Sequence, residues 1–326
     1  MHRGSEDDER VRRRAEAAGR TRRQRRLAIS ALGALAVMVL LVAVLSLRGG
    51  GGDLPDLTPD EASATDTVAT SAAKPPSADR PGGAPARAPE PPAAESEPPG
   101  QALPILMYHV TEAPPAGAPF PELWVAPDRF AEQMQAVEDA GYTAITMRDA
   151  EDYWAGRRRV PRKPIVLTFD DGYRSHVDVA LPELEKRGWP GVLYLEVAAM
   201  KKPGAEGIGK AGVRKLIGAG WELGAHTMTH PDLTTQDTAA LTEEVAGSRK
   251  LLRERFGVAV DAFCYPAGKY DDTVIAAVED AGYASATTVE EGLAGPADEP
   301  FTRHRIRVNG SDSGATVVAN IAAAGG

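Results

Sequence analysis

The hydrophobic positions of this chain change pattern twice along its length. Residues 27–47 are mostly apolar and contain no charged side chain, whereas residues 48–100 are rich in Pro, Ala, Gly and Ser. From residue 101 onward, short apolar runs alternate with longer segments of helical periodicity. About twenty apolar residues span a bilayer at about 1.5 Å each. The pattern therefore predicts a membrane segment, a linker and one folded domain, 101–326.

The folded domain reads as strands alternating with helices. Apolar runs end in polar turns, and several helical segments close on glycine. Such alternation predicts an α/β fold with a parallel sheet, a distorted (β/α)7-type barrel of about seven strands. The predicted strands are Ile105–His109, Ala144–Met147, Ile165–Phe169, Val192–Leu195, Trp221–Ala225, Ala262–Tyr265 and Ala284–Val289. The predicted helices are Pro127–Ala140, Leu181–Arg187, Gln236–Phe256 and Asp271–Ala281.

The amino-terminal segments predict the location of this domain. Residues 1–26 are rich in arginine, which indicates a cytoplasmic tail before a single transmembrane anchor at 27–47. A cleavable signal peptide is the alternative, but the apolar segment is longer than usual for one, and Ser46-Leu47-Arg48 is a poor cleavage site. We therefore expect an uncleaved anchor in the cell membrane and an extracellular domain.

The linker and the charge distribution bear on partners. Residues 48–100 cannot bury enough apolar area to offset the entropy lost on ordering, so we expect a disordered, extended Pro-rich linker. The alternative is that this Pro-rich segment is a peptide ligand for a partner protein. Residues 1–100 carry equal numbers of basic and acidic side chains, so the net charge of −9 falls on the domain. This argues against nucleic acid and suits a neutral or cationic glycan. The single cysteine, Cys264, cannot form an intrachain disulfide. Oligomeric state stays open.

Two adjacent acids, Asp170 and Asp171, end the apolar run that begins at Pro164. Successive side chains of an extended backbone point to opposite sides. One carboxylate can therefore reach a metal while its neighbour reaches water or substrate. An ordinary Asp-Asp-Gly turn is the alternative.

Two histidines, His226 and His230, follow a later predicted strand. Pro231 disfavours a helix through His230, so we place His226 at the strand end and His230 on the next turn. The zinc-protease helix needs Glu directly after the first histidine, and here that residue is Thr227. Two imidazoles beside threonine hydroxyls predict a metal site. A His-His-Asp ligand set makes Zn²⁺ the default, although ligand type alone leaves other first-row metals open.

These strings resemble the NodB-homology polysaccharide deacetylases, the family 4 carbohydrate esterases. Thr168-Phe-Asp-Asp-Gly172 is similar to the family's T-F-D-D-G, and His226-Thr-Met-Thr-His230 is similar to its H-[ST]-x-x-H. The resemblance covers roughly residues 101 to 310. It implies Asp170 as general base and Asp171, His226 and His230 as metal ligands. It also implies removal of N-acetyl groups from a glycan such as peptidoglycan or poly-N-acetylglucosamine.

Two further strings are similar to family segments. Pro104–Val110 resembles the opening strand of an exported subgroup that acts on extracellular or cell-wall polysaccharides. Phe263–Gly268 resembles the segment lining the substrate groove, which implies Tyr265 and Pro266 as substrate-binding residues. His109, at a strand end, is a further candidate for the site, with core packing as the alternative.

The sequence departs from the family pattern at two places. Cys264 stands where many members carry the arginine that positions the base, and Arg305 is a candidate to replace it by pairing with Asp170. The late Leu-x-His motif, the family's source of the general acid, is blurred. His304 is the candidate acid there, and a surface histidine at a strand edge is the alternative.

The candidate residues fall at carboxyl ends of predicted strands, where barrel enzymes carry their active sites. The backbone N–H near Tyr265 is a candidate oxyanion donor. Two alternatives remain besides a deacetylase. One is a non-catalytic glycan-binding wall protein, suggested by Cys264 and Ala267. The other is an O-acetyl esterase or amidase acting on another acyl group. Groove loops such as Glu112–Val125 would discriminate among substrates.

Overall fold

Eight parallel strands form the centre of the domain in the computed structural model, which describes residues 89–92, 96–98, 100–202 and 207–325. The strands are β1 Ile105–Tyr108, β2 Thr143–Ile145, β3 Pro164–Asp171, β4 Val192–Leu195, β5 Glu222–Ala225, β6 Ala262–Cys264, β7 Ser285–Glu291 and β8 Arg303–Arg307. Their order is β1-β8-β7-β6-β5-β4-β3-β2, and a further pairing of β1 with β3 closes a ring of seven. The closed parallel barrel confirms the predicted fold class.

The membership of the ring differs from the prediction. β2 was predicted to be a barrel strand, but it pairs with the first residues of β3 and lies outside the ring. β8, which was not among the predicted strands, completes the ring between β1 and β7. Its sequence is mostly charged, yet Arg303 and Arg305 are 3% and 0% exposed. A strand whose buried side chains are arginines gives no apolar signal.

The helices lie in the connections between strands, except the last one, which follows β8. Within the described ranges they are α1 Pro127–Asp139, α2 Met147–Trp154, α3 Leu181–Glu185, α4 Gly209–Gly218, α5 Thr238–Thr242, α6 Ser248–Phe256, α7 Asp272–Asp280 and α8 Gly314–Ala324. A π-helical segment, Glu243–Gly247, joins α5 to α6, and another, His176–Ala180, leads into α3. The predicted helices are confirmed, with the long one containing the π segment. α2, α4 and α8 were not predicted.

The start of α2 corrects the predicted strand Ala144–Met147. The strand ends at Ile145, because Thr146 caps the following helix: its hydroxyl accepts the Asp149 N–H at 3.1 Å, and the Asp149 carboxylate accepts the Thr146 N–H. This reciprocal pair satisfies two donors that the first helical turn leaves free.

Side chains alternate along the strands between two buried clusters. In β3, Val166 belongs to one cluster with Ile105 and Tyr194. The next residue, Leu167, belongs to the other cluster, which includes helix side chains such as Phe130. This period of two is the pleat of an extended chain. Continued along β3, the alternation puts Asp170 on the same side as Val166.

The amino-terminal predictions fall mostly outside the described residues. These are the tail at 1–26, the transmembrane anchor at 27–47 and the linker at 48–100 apart from its last few residues. In that last part the Glu97 N–H donates to the Val160 carbonyl at 3.0 Å, so the chain contacts the domain before residue 101. Across the described ranges, none of the helices has the length and apolarity that a membrane span requires.

Candidate active site

A cleft of about 610 Å³ opens at the carboxyl ends of the barrel strands. β3 supplies its two terminal acids, β8 supplies Arg305, and the residues just after β1 and β5 supply two histidines. Carboxyl ends of parallel barrel strands meet at one face, which is why residues distant in sequence converge there. The cleft lining includes His109, Asp170, Asp171, His226, His230 and Arg305.

Three side chains converge into a possible metal site. The Asp171 Oδ1 atom lies 3.4 Å from His226 Nε2 and 3.6 Å from His230 Nε2. One ligand atom from each residue lies within 4.8 Å of the other two. The sequence predicted these three residues as ligands, and the fold brings them together.

The hydrogen bond of His226 sets its ring orientation. Its Nδ1 atom lies 2.7 Å from the Cys264 carbonyl oxygen. A carbonyl can only accept, so Nδ1 is the donor, and in the neutral ring Nε2 keeps its lone pair. Burial lowers the pKa of His226, but its contacts with Cys264 and the Asp171 carboxylate raise that pKa well above its usual value, so in the free site Nε2 carries a proton toward Asp171. A cation bound at Nε2 would replace this proton. A backbone carbonyl that fixes a histidine tautomer in this way is the usual outer support of a metal ligand.

The backbone around these ligands is unusual. Asp171, Thr227 and His230 have φ angles of 71°, 68° and 62°. Non-glycine residues seldom adopt this left-handed region, and where they do they often lie at functional sites. Thr227 also accepts the His230 N–H on its hydroxyl at 2.9 Å. The loop between the two histidines is therefore held in a strained but tied conformation.

Glu244, in the π segment between α5 and α6, holds the same loop from outside. Its Oε2 accepts the N–H groups of Met228 and Thr229 at 2.8 and 2.9 Å, and its Oε1 accepts the Thr229 hydroxyl at 2.6 Å. Charged acceptors make the stronger hydrogen bonds of proteins. One carboxylate thus fixes the two residues that precede His230.

Replacing Glu244 by alanine should weaken metal binding because the loop loses three hydrogen bonds and His230 is no longer aimed. We expect the affinity for Zn²⁺ to fall by about 10-fold, the lower end for the loss of an outer support. Competition with a chromophoric chelator measures it. The matched control is Glu243→Ala, at the preceding exposed position. Equal zinc affinity in both variants would show that Glu244 does not aim His230.

Asp170 is held by a buried arginine. The Arg305 guanidinium donates to both carboxylate oxygens of Asp170 at 2.8 Å, and the two side chains are 0% and 2% exposed. Arg305 also donates to the Thr168 hydroxyl at 3.0 Å and the Thr288 carbonyl at 2.8 Å, and it lies 3.1 Å from Cys264 Sγ. Bidentate pairing fixes the plane of a carboxylate as well as its position. The pairing that the sequence suggested is present.

Both acids of β3 are ionised at neutral pH. Burial raises the pKa of Asp170, but the Arg305 guanidinium together with His109 and His226 outweighs burial, so this pKa lies below its usual range. Burial also raises the pKa of Asp171, and here the His226 ring outweighs burial and holds the pKa well below its usual range. The cleft floor therefore carries two carboxylates, one neutralised by arginine and one facing two imidazoles.

His109 lies beside Asp170, with its Nε2 atom 3.9 Å from Asp170 Oδ2. The backbone carbonyl oxygen of His109 lies 2.6 Å from Nε2 of His176, a fully buried residue that was not predicted to belong to the site. Burial lowers the pKa of His109, and the Asp170 carboxylate opposes burial only in part. His109 is therefore a neutral ring within reach of the acid pair.

The other predicted residues lie at different distances from the cleft. His304 is not in the cleft lining: its Nε2 atom lies 3.5 Å from Glu290 Oε2, and its side chain is 38% exposed. Because side chains alternate along β8, Arg305 and Arg307 reach the cleft and His304 points elsewhere. His304 therefore matches the alternative given above, a surface histidine at a strand edge.

The segment after β6 is only partly in the cleft. Tyr265 lines the wall, whereas Pro266 is buried and does not line the cleft. The Tyr265 N–H, a predicted oxyanion donor, already donates to the Thr287 carbonyl at 3.3 Å. Ala267, with a φ of 51°, lines the cleft in place of Pro266.

Glu196 lines the cleft and was not predicted from the sequence. Glu196 directly follows β4, and its Oε2 accepts Lys202 Nζ at 2.8 Å. Its place after a strand was a usable signal, since that rule found the other site residues. Phe120 also lines the cleft, and it lies in the loop Glu112–Val125 that the sequence indicated as a groove loop.

Comparison with known proteins finds similarity to polysaccharide deacetylases. The family model described as polysaccharide deacetylase matches residues 157–286. The Bacillus subtilis (strain 168) protein YxkH, which is named as a polysaccharide deacetylase, is 27% identical to this chain over 219 residues. The match covers 67% of this chain and 76% of YxkH. The Escherichia coli (strain K12) poly-beta-1,6-N-acetyl-D-glucosamine N-deacetylase is 34% identical over 61 residues, 19% of this chain and 9% of that protein.

A solved structure shares the fold. The Streptococcus pyogenes deacetylase PplD, solved in complex with acetate, superposes with a TM-score of 0.63 at 25% identity. The match covers 68% of this chain and 99% of PplD. The shared part is therefore nearly the whole of PplD.

Proposed function

We propose that this chain, for which the family model, the relatives and the fold support the NodB-type polysaccharide deacetylase family, is a metal-dependent hydrolase. Its reaction would remove N-acetyl groups from an extracellular or cell-wall polysaccharide of the N-acetylglucosamine type. One observation carries the proposal. An arginine-held carboxylate, Asp170, lies beside the Asp171, His226 and His230 cluster on the floor of one cleft.

The cluster fits a divalent cation. It offers one carboxylate and two imidazoles, and the His226 ring is oriented so that Nε2 faces the other two ligand atoms. Zinc prefers this ligand type, and three protein ligands match its catalytic sites. When bound, the cation would lower the pKa of water and stabilise negative charge on a carbonyl oxygen. Asp170 is less suited as a ligand, because Arg305 occupies both of its oxygens.

Asp170 would act as the general base. Its carboxylate is ionised, is aimed into the cleft by Arg305 and lies directly beside the ligand Asp171. In hydrolysis of an acetamide, Asp170 takes the proton of the attacking water. A base held in one geometry contributes typically about 10²- to 10⁴-fold to rate.

His109 is the residue best placed to donate the proton that the departing sugar amine needs. It lines the cleft, and its Nε2 atom lies 3.9 Å from the Asp170 carboxylate that receives a proton in the first step. Because the lowered pKa leaves His109 neutral in the free site, His109 would first take over the proton that Asp170 removes from water and would then pass that proton to the departing amine. His304, the candidate acid from the sequence, does not line the cleft. We therefore assign the role of general acid to His109.

His109→Ala should therefore slow amide hydrolysis far more than hydrolysis of an activated ester. We expect acetate release from an N-acetylglucosamine oligomer to fall about 100-fold. Release from 4-nitrophenyl acetate should fall much less, because its leaving group departs without a proton. His304→Ala, the matched histidine control, should keep both rates. A loss of amide hydrolysis in His304→Ala alone would reverse the assignment.

The substrate class rests on relatives and on charge. A relative of part of the chain is named for de-N-acetylation of poly-beta-1,6-N-acetyl-D-glucosamine. The domain's negative charge suits a glycan that becomes cationic as it loses acetyl groups. Anchoring in the cell membrane with the domain outside, as residues 1–47 predict, would bring the cleft to such a glycan.

Acetate release by the full-length protein tests the proposal. The substrates are β-1,6- and β-1,4-linked N-acetylglucosamine polymers, peptidoglycan and O-acetylated xylan, each after chelation and again with added zinc. Zinc-dependent acetate from an N-acetylated glycan is the expected result. Acetate from xylan alone would favour the O-acetyl esterase. Bound zinc without acetate from any of them would favour the glycan-binding protein.

A further inference from the structure

We propose that Phe120 is a sugar-binding platform at the rim of the cleft, on which a pyranose ring of the glycan chain packs its apolar C–H face. The proposal rests on the proposed function, because the same glycan extends from the catalytic floor across this rim. It assigns a subsite for a neighbouring sugar rather than for the acetyl group. Phe120 lines the cleft together with Glu122 and Leu123.

The exposure of Phe120 is the first observation. Its side chain is 65% exposed, and no other large hydrophobic side chain among the described residues is counted as exposed. A single exposed apolar side chain is ordinary on a protein surface, so exposure alone proves little. What distinguishes Phe120 is its place in the lining of the cleft that contains the acid pair and the histidines.

The backbone of Phe120 is the second, independent observation. Its φ and ψ angles are 49° and 58°, a left-handed conformation that a bulky side chain seldom adopts. Packing of the ring in the hydrophobic core cannot explain this conformation, because the ring is exposed. Strained backbone in an exposed residue is typical of functional positions, where surrounding structure enforces it.

The surrounding structure does enforce it. The Leu123 N–H donates to the Phe120 carbonyl at 2.9 Å and closes a short 3-10 turn. The Glu122 carbonyl accepts the Gly310 N–H at 2.8 Å, and the Val125 N–H donates to the Val110 carbonyl at 2.8 Å. The loop is thus tied to the ends of β1 and β8, on the same barrel face as the cleft. Phe120 is presented at a fixed position.

The chemistry of the ring selects the ligand. A phenyl face is apolar with a negative quadrupole, so it suits a flat partner that presents C–H groups and loses water on contact. The C–H face of a pyranose meets that description, whereas the acetamide and hydroxyl groups require hydrogen bonds. A platform of this kind contributes to binding of a polymer and contributes nothing to an acetyl group on a small molecule.

Binding and kinetics in the full-length protein test the platform. The probe is a β-1,6-linked N-acetylglucosamine pentamer. In an Asp170→Asn background, which slows turnover and is kept well below its melting temperature, calorimetry should show that Phe120→Ala weakens pentamer binding roughly 10-fold. Phe120→Tyr, which keeps an aromatic face, should restore it. With Asp170 intact, the ratio of kcat/KM for the pentamer to that for 4-nitrophenyl acetate should fall by the same factor in Phe120→Ala only.

The outcomes separate the platform from the proposed function. Equal pentamer affinity in the alanine and phenylalanine proteins would overturn the platform, whether or not the enzyme releases acetate. A loss of affinity that tyrosine does not restore would also overturn it, since a packing defect would then explain the loss. Weaker binding in the alanine variant and restored binding in the tyrosine variant, without acetate release by the wild type, would keep the platform and reject the deacetylase.

Discussion

Asp170→Asn should lower the rate of acetate release by about 10²- to 10⁴-fold while the protein retains its zinc. The asparagine amide cannot take the proton of the attacking water. Zinc should stay, because the metal cluster proposed here consists of Asp171, His226 and His230, and Arg305 occupies both oxygens of Asp170. Acetate release from an N-acetylglucosamine oligomer and zinc content by mass spectrometry measure the two quantities.

The same change should also destabilise the fold. Arg305 is 0% exposed, and without the carboxylate its charge is buried without an acidic partner. Breaking a buried ion pair by removing one partner costs about 3–5 kcal/mol. The melting temperature should therefore fall in Asp170→Asn, and the assay temperature must lie well below the new midpoint.

A double variant separates stability from catalysis. Asp170→Asn with Arg305→Met removes both charges, and replacing a buried ion pair by apolar groups is often neutral for stability. We expect the melting temperature to recover and the activity to stay low. Asp178→Asn, an acid-to-amide change at a half-exposed residue paired with Arg174, is the matched control. Full activity in Asp170→Asn would remove Asp170 as the base.

The sequence predicted the class of fold because most barrel strands carry uninterrupted apolar runs. It failed at β8, where Arg303 and Arg305 fill interior positions that apolar residues usually fill. Their burial is possible only because Glu151 and Asp170, from distant parts of the chain, accept their hydrogen bonds. A local pattern contains no information about such partners.

The site was predictable to the extent that it follows strand ends. Asp170, Asp171 and His226 were found by this rule together with the motif resemblance. The choice between His304 and Arg305 required the facing of β8, since adjacent residues of a strand point to opposite sides. The sequence shows that the side chains of β8 alternate between two faces. It does not show which face points into the cleft, because both faces carry ionisable residues.

The conformation of the loop between His226 and His230 could not be predicted from the sequence. Thr227 and His230 adopt left-handed φ angles, which the residue types disfavour. The loop holds them through the Thr227 hydroxyl and through Glu244, which lies fourteen or more positions away in the chain. The backbone preference of these residue types is outweighed by hydrogen bonds to Glu244. Those hydrogen bonds form only when the segment between α5 and α6 has packed against the loop.

His226→Ala should remove zinc and activity together. His226 is 2% exposed, and its Nε2 faces Asp171 while Nδ1 is bound to the Cys264 carbonyl. Loss of an outer support costs up to about 100-fold in metal affinity, so loss of the ligand itself should cost at least about that much. The remaining pair, Asp171 and His230, is too small a set for a catalytic zinc site.

The measurement is zinc affinity by chelator competition, with the absorption spectrum of the cobalt-substituted protein as a second readout. In the wild type, cobalt should give the intense visible bands of a four- or five-coordinate site, and His226→Ala should abolish them. His304→Ala is the matched control, because it removes an imidazole that the structure places outside the cleft lining. If His226→Ala kept zinc, the cobalt spectrum and acetate release, the ligand assignment would be wrong. If instead it lost zinc but kept acetate release, the chemistry would have to depend on Asp170 and His109 without a metal.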